Sequence, residues 1–138
     1  MQDFKKLRVW HLAQELSLEV IEALSIPTVR RVPGLRNQAV RAANSVSDNL
    51  AEGCARPNRA EFLRFVGIAI GSANELEAQL GLASRARILS ADIHATLKKR
   101  LNLVRRMLIS LMRVLEQQIA ADENRARPDT TGHPDPYS

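Results

Sequence analysis

The stretch from Asn49 to Glu77 constrains this chain more than any other. Asn49-Leu-Ala-Glu-Gly53 closes one amphipathic run, Arg56-Pro57 interrupts it, and Asn58 opens the next. Asn58 can accept from the free backbone N–H groups of a first helical turn, and Glu61, three residues on, can reach back in a capping box. From Phe62 the apolar or small residues recur as Phe62, Val66, Ala69, Ala73, Leu76, Leu80 and Ala83, in alternating steps of four and three. That spacing is the seam of a helix packed lengthwise against others. Such a helix spans roughly 40 Å at 1.5 Å per residue, so it needs partners of similar length.

The flanking sequence supplies them. Residues 4 to 24 read as a first helix with Val9, Ala13, Leu16, Val20 and Leu24 on one face. A flanking row of Leu7, Trp10, Leu18 and Ile21 widens the apolar arc beyond what one seam requires, and Glu15, Glu19 and Glu22 form an acidic ridge beside it. Trp10 reads first as a large core or edge residue, and the four residues together read as an oligomer interface. Pro27, Pro33 and Gly34 force a turn between Ser25 and Gly34. A second helix, about 35 to 55, sets Leu35, Ala39, Ala42, Val46 and Leu50 in register and is rich in small residues, with Gly53 and Pro57 expected to end it. The third helix, about 58 to 85, also carries Gly67 and Gly71, which read as a point where another helix crosses closely. Ser90 can cap a fourth, about 90 to 121, with a seam of Leu97, Leu101, Val104, Leu108, Leu111 and Leu115. Pro128, Pro134, Pro136 and Gly132 lie in a segment without apolar periodicity, so 125 to 138 is expected to be a disordered tail. The expected fold is all-α, an antiparallel up-down-up-down four-helix bundle in one domain over 1 to 124.

Composition agrees with helices. Of 138 residues, 45% are hydrophobic but only 4% aromatic, so the core must be mostly aliphatic. There is no run of about 18 or more apolar residues and no charged-then-apolar amino terminus, so a cytoplasmic protein without a membrane span is expected. The single cysteine, Cys54, leaves no internal disulfide and is expected to be buried and inert. Net charge is +5. From Asp122 onward lie four of the 15 acidic residues but only two of the 20 basic ones, so residues 1 to 121 carry 18 basic and 11 acidic side chains, a net +7. A body this basic suits an acidic partner such as nucleic acid.

Few residues suggest catalysis. A di-iron bundle needs Glu three residues before His on two helices, yet Arg8 precedes His11 and Ala91 precedes His94 at that distance. No glycine-rich phosphate loop occurs. No metal, cofactor or catalytic residue is expected, and a non-enzymatic role follows. Asn49, Glu52, Glu75 and Glu77 are candidates for a structural polar cluster with Arg41, Arg56 or Arg64. The fourth helix holds the most pronounced charge pattern. Between Asp92 and Glu116 it has no acidic residue but Lys98, Lys99, Arg100, Arg105, Arg106 and Arg113, with Lys99, Arg106 and Arg113 seven apart. Lys98, Lys99, Arg105, Arg106 and Arg113 are therefore the candidate nucleic-acid-binding residues, a line that can follow phosphates. The rival reading turns this ridge toward the Glu15, Glu19, Glu22 ridge of the same or another subunit, leaving a protein interaction scaffold. The stripe has no aromatic residue to stack bases, so binding to RNA or DNA would be mainly electrostatic.

The amino-terminal Phe4, Leu7, Val9 and Trp10, the run Ala51-Glu52-Gly53, and Gly71-Ser72 followed by Glu75-Leu76-Glu77 together resemble a known family, the four-helix-bundle proteins encoded in intervening sequences of bacterial 23S ribosomal RNA genes. Phe4, Leu7, Val9 and Trp10 match its amino-terminal pattern, and Arg41, Ala42, Ala43, Ser45, Asn49, Ala51, Glu52, Gly53 and Arg56 match its second helix. Glu61, Phe62, Phe65, Ala69, Gly71, Ser72, Glu75, Leu76, Glu77 and Leu80 match its third. The likeness runs over roughly residues 4 to 90, and Ser47 stands where the family pattern commonly has proline. The resemblance implies a cytosolic bundle assembled as a homopentameric ring, similar in fold to the accessory variability determinant of diversity-generating retroelements, a basic bundle that engages nucleic acid.

Overall fold

The structure is a computed structural model that describes residues 2–128. Four α-helices make up the body: α1 (Arg8–Ala23), α2 (Leu35–Cys54), α3 (Arg59–Arg85) and α4 (Ala91–Ala126). Consecutive helices pack side by side and α4 returns to α1, with α2 against α3 the most extensive pairing and α1 against α4 the least. This is the four-sided, up-and-down bundle that the seams require. Every expected seam residue is buried except Leu111, which packs on the core while half-exposed. Leu16, Leu24, Leu50, Leu76, Leu80, Leu101 and Leu108 are fully enclosed, and each large aliphatic side chain so removed from water contributes about 1.5–3 kcal/mol.

The caps behave as the sequence chemistry dictates, with one difference. The Asn58 side chain accepts from the Glu61 backbone N–H at 2.9 Å, and Ser90 Oγ accepts from the Ile93 N–H at 3.2 Å. Glu61, however, accepts from the Asn58 side-chain amide at 3.2 Å instead of reaching the cap's backbone. Asn carries an amide donor that Ser and Thr lack, so the side chains satisfy each other directly.

Several boundaries move. The expected first helix is interrupted: Phe4–Lys6 form a 3₁₀ turn capped by Asp3, Leu7 is extended, and α1 begins at Arg8. The connection after α1 contains a 3₁₀ turn, Pro27–Arg31, before Gly34 turns into α2 with a positive φ of 83°. At the carboxyl end α4 runs to Ala126, beyond the expected 121, and there Asp122 pairs with Arg59 of α3 and with Arg125 one turn on. Arg125 and Ala126 are thus helical, and the rest of the expected tail from 129 lies outside the described residues.

Two glycine roles are exchanged. Gly53 is not a left-handed terminator; it lies inside α2, where an added Cβ would meet Phe62 Cδ1 and Phe65 Cβ, each at 2.9 Å. It is the close-approach residue between α2 and α3. Gly67 and Gly71, expected to mark a helix crossing, are open on their bare sides: an added Cβ at either would meet no packed neighbour within 4 Å, so among the described residues no helix crosses there.

Candidate nucleic-acid interface

The basic face of α4 divides into committed and free cations. Arg105 is half-buried and belongs to the fold: its guanidinium donates to Glu77 and to Asn74 Oδ1 (2.9 Å) on α3, and to Asn102 Oδ1 (2.6 Å) on its own helix. The Arg105 bond holds the Glu77 carboxyl below the usual glutamate range. Arg105 is therefore a latch between α3 and α4, which corrects its place among the phosphate-facing residues. Arg100 crosses to α1 and pairs with Glu19 at 2.7 Å. Burial raises the Glu19 carboxyl, and Arg100 opposes that rise. Lys98, Lys99, Arg106 and Arg113 are exposed, and among the described residues none of them forms an ion pair. Lys98, Lys99, Asn102, Arg105 and Arg106 line a shallow groove of ≈ 580 Å³ with Ala95 and Ile109.

The acidic ridge meets the basic one at a single point among the described residues, Arg100 on Glu19, and no sequence signal distinguished Arg100 from its neighbours. Asn74 and Asn102, which complete the Arg105 latch, were likewise not legible as site residues.

The four polar candidates on α2 and α3 do not meet. Asn49 donates to Ser45 O (2.7 Å) and Ser45 Oγ (2.9 Å), and Ser45 Oγ bonds Ser72 Oγ of α3 at 2.7 Å. Glu52 pairs locally with Arg56 at 2.7 Å, Glu77 goes to Arg105, and Glu75 is exposed with no side-chain bond among the described residues. The cause is the antiparallel register. Ser45 faces Ser72 and Gln38 faces Gln79 (3.1 Å), which puts Glu52 opposite the first turns of α3, about 15 Å along the helix from Glu75. Of the suggested cations only Arg56 pairs with a candidate; it and Arg64 also lie over the Phe65 ring, at 4.9 and 4.6 Å, while Arg41 is exposed.

The apolar row on α1 is split as well. Leu7 and Trp10 pack on the core, Trp10 against Phe4 with ring centroids 4.9 Å apart. Leu18 is 67% exposed and Ile21 is half-exposed. Cys54 is buried, and burial pushes its thiol up, which disfavours the reactive thiolate. Among the described residues no three His, Cys, Asp or Glu side chains are placed to hold a metal ion, and no helix is long and apolar enough to cross a membrane.

Residues 5–110 match the family described as 23S rRNA-intervening sequence protein. The chain belongs to that family. The match takes in α1, α2, α3 and most of α4, leaving the last turns of α4 outside it. Among solved structures, the crystal structure of a protein with unknown function from the S23 ribosomal protein family of Bacteroides thetaiotaomicron VPI-5482 is similar, with a TM-score of 0.69 and 21% identity over 75% of this chain and 97% of that one. At that identity the likeness concerns the fold. No curated protein matches. Ser47 is fully buried and accepts from Gln14 Nε2 of α1 at 2.7 Å, while its own hydroxyl donates to Asn44 O at 3.3 Å. Its bond to Gln14 is a polar tie between α1 and α2.

Proposed function

We propose that this protein is a non-enzymatic, cytoplasmic, basic bundle that assembles as a homo-oligomer and binds nucleic acid through the outer face of α4. The observation that carries the reading is the set of exposed cations Lys98, Lys99, Arg106 and Arg113, which have no acidic partner among the described residues while Arg100 and Arg105 are consumed by the fold. Lys99, Arg106 and Arg113 rise about 10 Å per step along the helix and present point charges in a row, the arrangement that displaces counterions from a phosphate backbone. Such a row follows a phosphate backbone whatever its base sequence, and structured RNA is the first partner to test. Replacing Lys98, Lys99, Arg106 and Arg113 with Gln should lower RNA affinity and flatten its salt dependence by roughly 0.7 to 0.9 in log–log slope per lost phosphate contact. Unchanged affinity and slope in that variant would remove the α4 face as the binding surface.

A second reading, a protein interaction scaffold, draws support from Leu18 and from the uncovered Gly67 and Gly71 on the outside of α3. Within our proposal these surfaces serve assembly, with the pentamer implied by the family resemblance as the favoured state.

A further inference from the structure

We infer that the end of the bundle closed by the α1–α2 and α3–α4 connections is a second cationic surface, an arginine cap that takes the phosphate backbone of double-helical RNA. The inference rests on the nucleic-acid reading above and adds a separate site to it. Arg30 and Arg31 end the 3₁₀ turn between α1 and α2, Arg36 lies in the first turn of α2, Arg85 ends α3, and Arg87 follows it. All five are exposed, and among the described residues none forms an ion pair. The Gln38–Gln79 bond sets the start of α2 beside the end of α3, so both connections close the same end. Arg30 and Arg36 also line two adjoining surface grooves there.

The composition of this end selects its partner. No acidic residue, no lysine and no aromatic residue occurs from Ala23 to Ser47 or from Ala78 to Ala91. Acidic Glu22 and Asp92 flank the same end, but on the α1–α4 side, where they line a groove with Glu19 and Arg100. Guanidinium forks bind phosphate oxygens in pairs, which an ammonium cannot do. Without aromatic rings the surface has nothing on which to stack splayed bases, so it suits a duplex read through its backbone better than a single strand. A lipid surface is a poorer fit, since the apolar side chains of the connections are turned inward: Ile26, Val29 and Val32 pack on the core, and Ile88 and Leu89 are buried.

Arg87 adds an independent sign. It is the only non-glycine residue among those described with a positive φ, 61°, and it occupies the position just past a helix where glycine is usual. The turn around it is fully bonded, with Arg87 N–H to Ser84 O at 3.0 Å and Ile88 N–H to Ala83 O at 2.9 Å. A long cation is thus held in a conformation that disfavours it, a form of local strain characteristic of binding sites.

The test compares wild type, the α4 variant above, a cap variant (Arg30, Arg31, Arg36, Arg85 and Arg87 to Gln) and the single variant Arg87→Gly, each titrated with a short RNA duplex over a range of salt. Circular dichroism and thermal unfolding accompany each variant. The cap variant should lose about tenfold or more in affinity at moderate salt and show a shallower salt slope. Arg87→Gly should melt at a higher temperature yet bind several-fold more weakly, a combination that a purely structural arginine would not give. If the cap variant does not fold, Arg87→Gly alone decides. Duplex binding by the cap variant and by Arg87→Gly equal to wild type, with loss confined to the α4 variant, overturns the cap and leaves the proposed function standing. Absence of duplex binding by wild type overturns both. A cap variant that binds RNA normally but no longer binds phosphatidylserine vesicles overturns the cap in favour of a lipid surface.

Discussion

Gly53 shows how a single missing methyl group sets the distance between two helices. Alanine there would drive its Cβ to within 2.9 Å of both Phe62 and Phe65, and overpacking of this kind costs about 1–3 kcal/mol. Gly53→Ala should lower the urea midpoint accordingly. Gly67→Ala and Gly71→Ala enter open space in the protomer and should each raise its stability by about 0.5–1 kcal/mol through helix propensity, measured where the assembly is dissociated. A neutral Gly53→Ala would contradict the packing. The sequence read these residues the other way round. Spacing locates a glycine on a helix, but only the partner helix decides whether its bare side is covered, and the phenylalanines that cover Gly53 come from across the break.

At the level of helices, the seams were legible because each buried face repeats in steps of four and three, and this period alone orients a helix. The boundaries were less so. α4 continues past 121, where Asp122 meets Arg59 in a tertiary contact with no local signature, and the first helix is broken at Leu7, behind a short 3₁₀ turn that Asp3 caps. The α3–α4 pairing carries a pH signature. The Arg105 bond lowers the Glu77 pKa, so this pair's contribution is fully present above the unfolded glutamate pKa, near 4.3, and is lost as pH falls through the lowered folded value. Melting temperatures measured from about pH 6 down to about pH 3 should fall less steeply for Glu77→Gln than for wild type. Parallel curves would show that the latch contributes nothing to the pH dependence. Glu19 acts with the opposite sign, since burial raises its carboxyl and its ionisation costs stability as pH rises through the raised value.

For the molecule as a whole, the bundle was almost entirely legible in the sequence and the candidate site only partly. A run of basic residues on one helix identifies charge but not which charges the fold consumes: Arg100 and Arg105 pair with glutamates far away in sequence, Glu19 and Glu77. The arginine cap was hidden for the same reason, because its residues come from two connections that only the antiparallel topology brings to one end. Assembly is testable through Leu18, the most exposed residue of the α1 row. Leu18→Asp removes no core contact, so it should leave the melting temperature of the protomer close to wild type while lowering the mass found by light scattering coupled to size exclusion. An unchanged oligomer would exclude Leu18 from the interface, and a monomeric wild type would exclude the assembly. The central claim, that exposed cations on this bundle bind nucleic acid, is tested most directly by titrating the wild-type protein with structured RNA at several salt concentrations. The account predicts tight binding at low salt and a linear fall of log affinity with log salt, with a slope reflecting several phosphate contacts at about 0.7 to 0.9 each; no binding at low salt, or an affinity indifferent to salt, would contradict it.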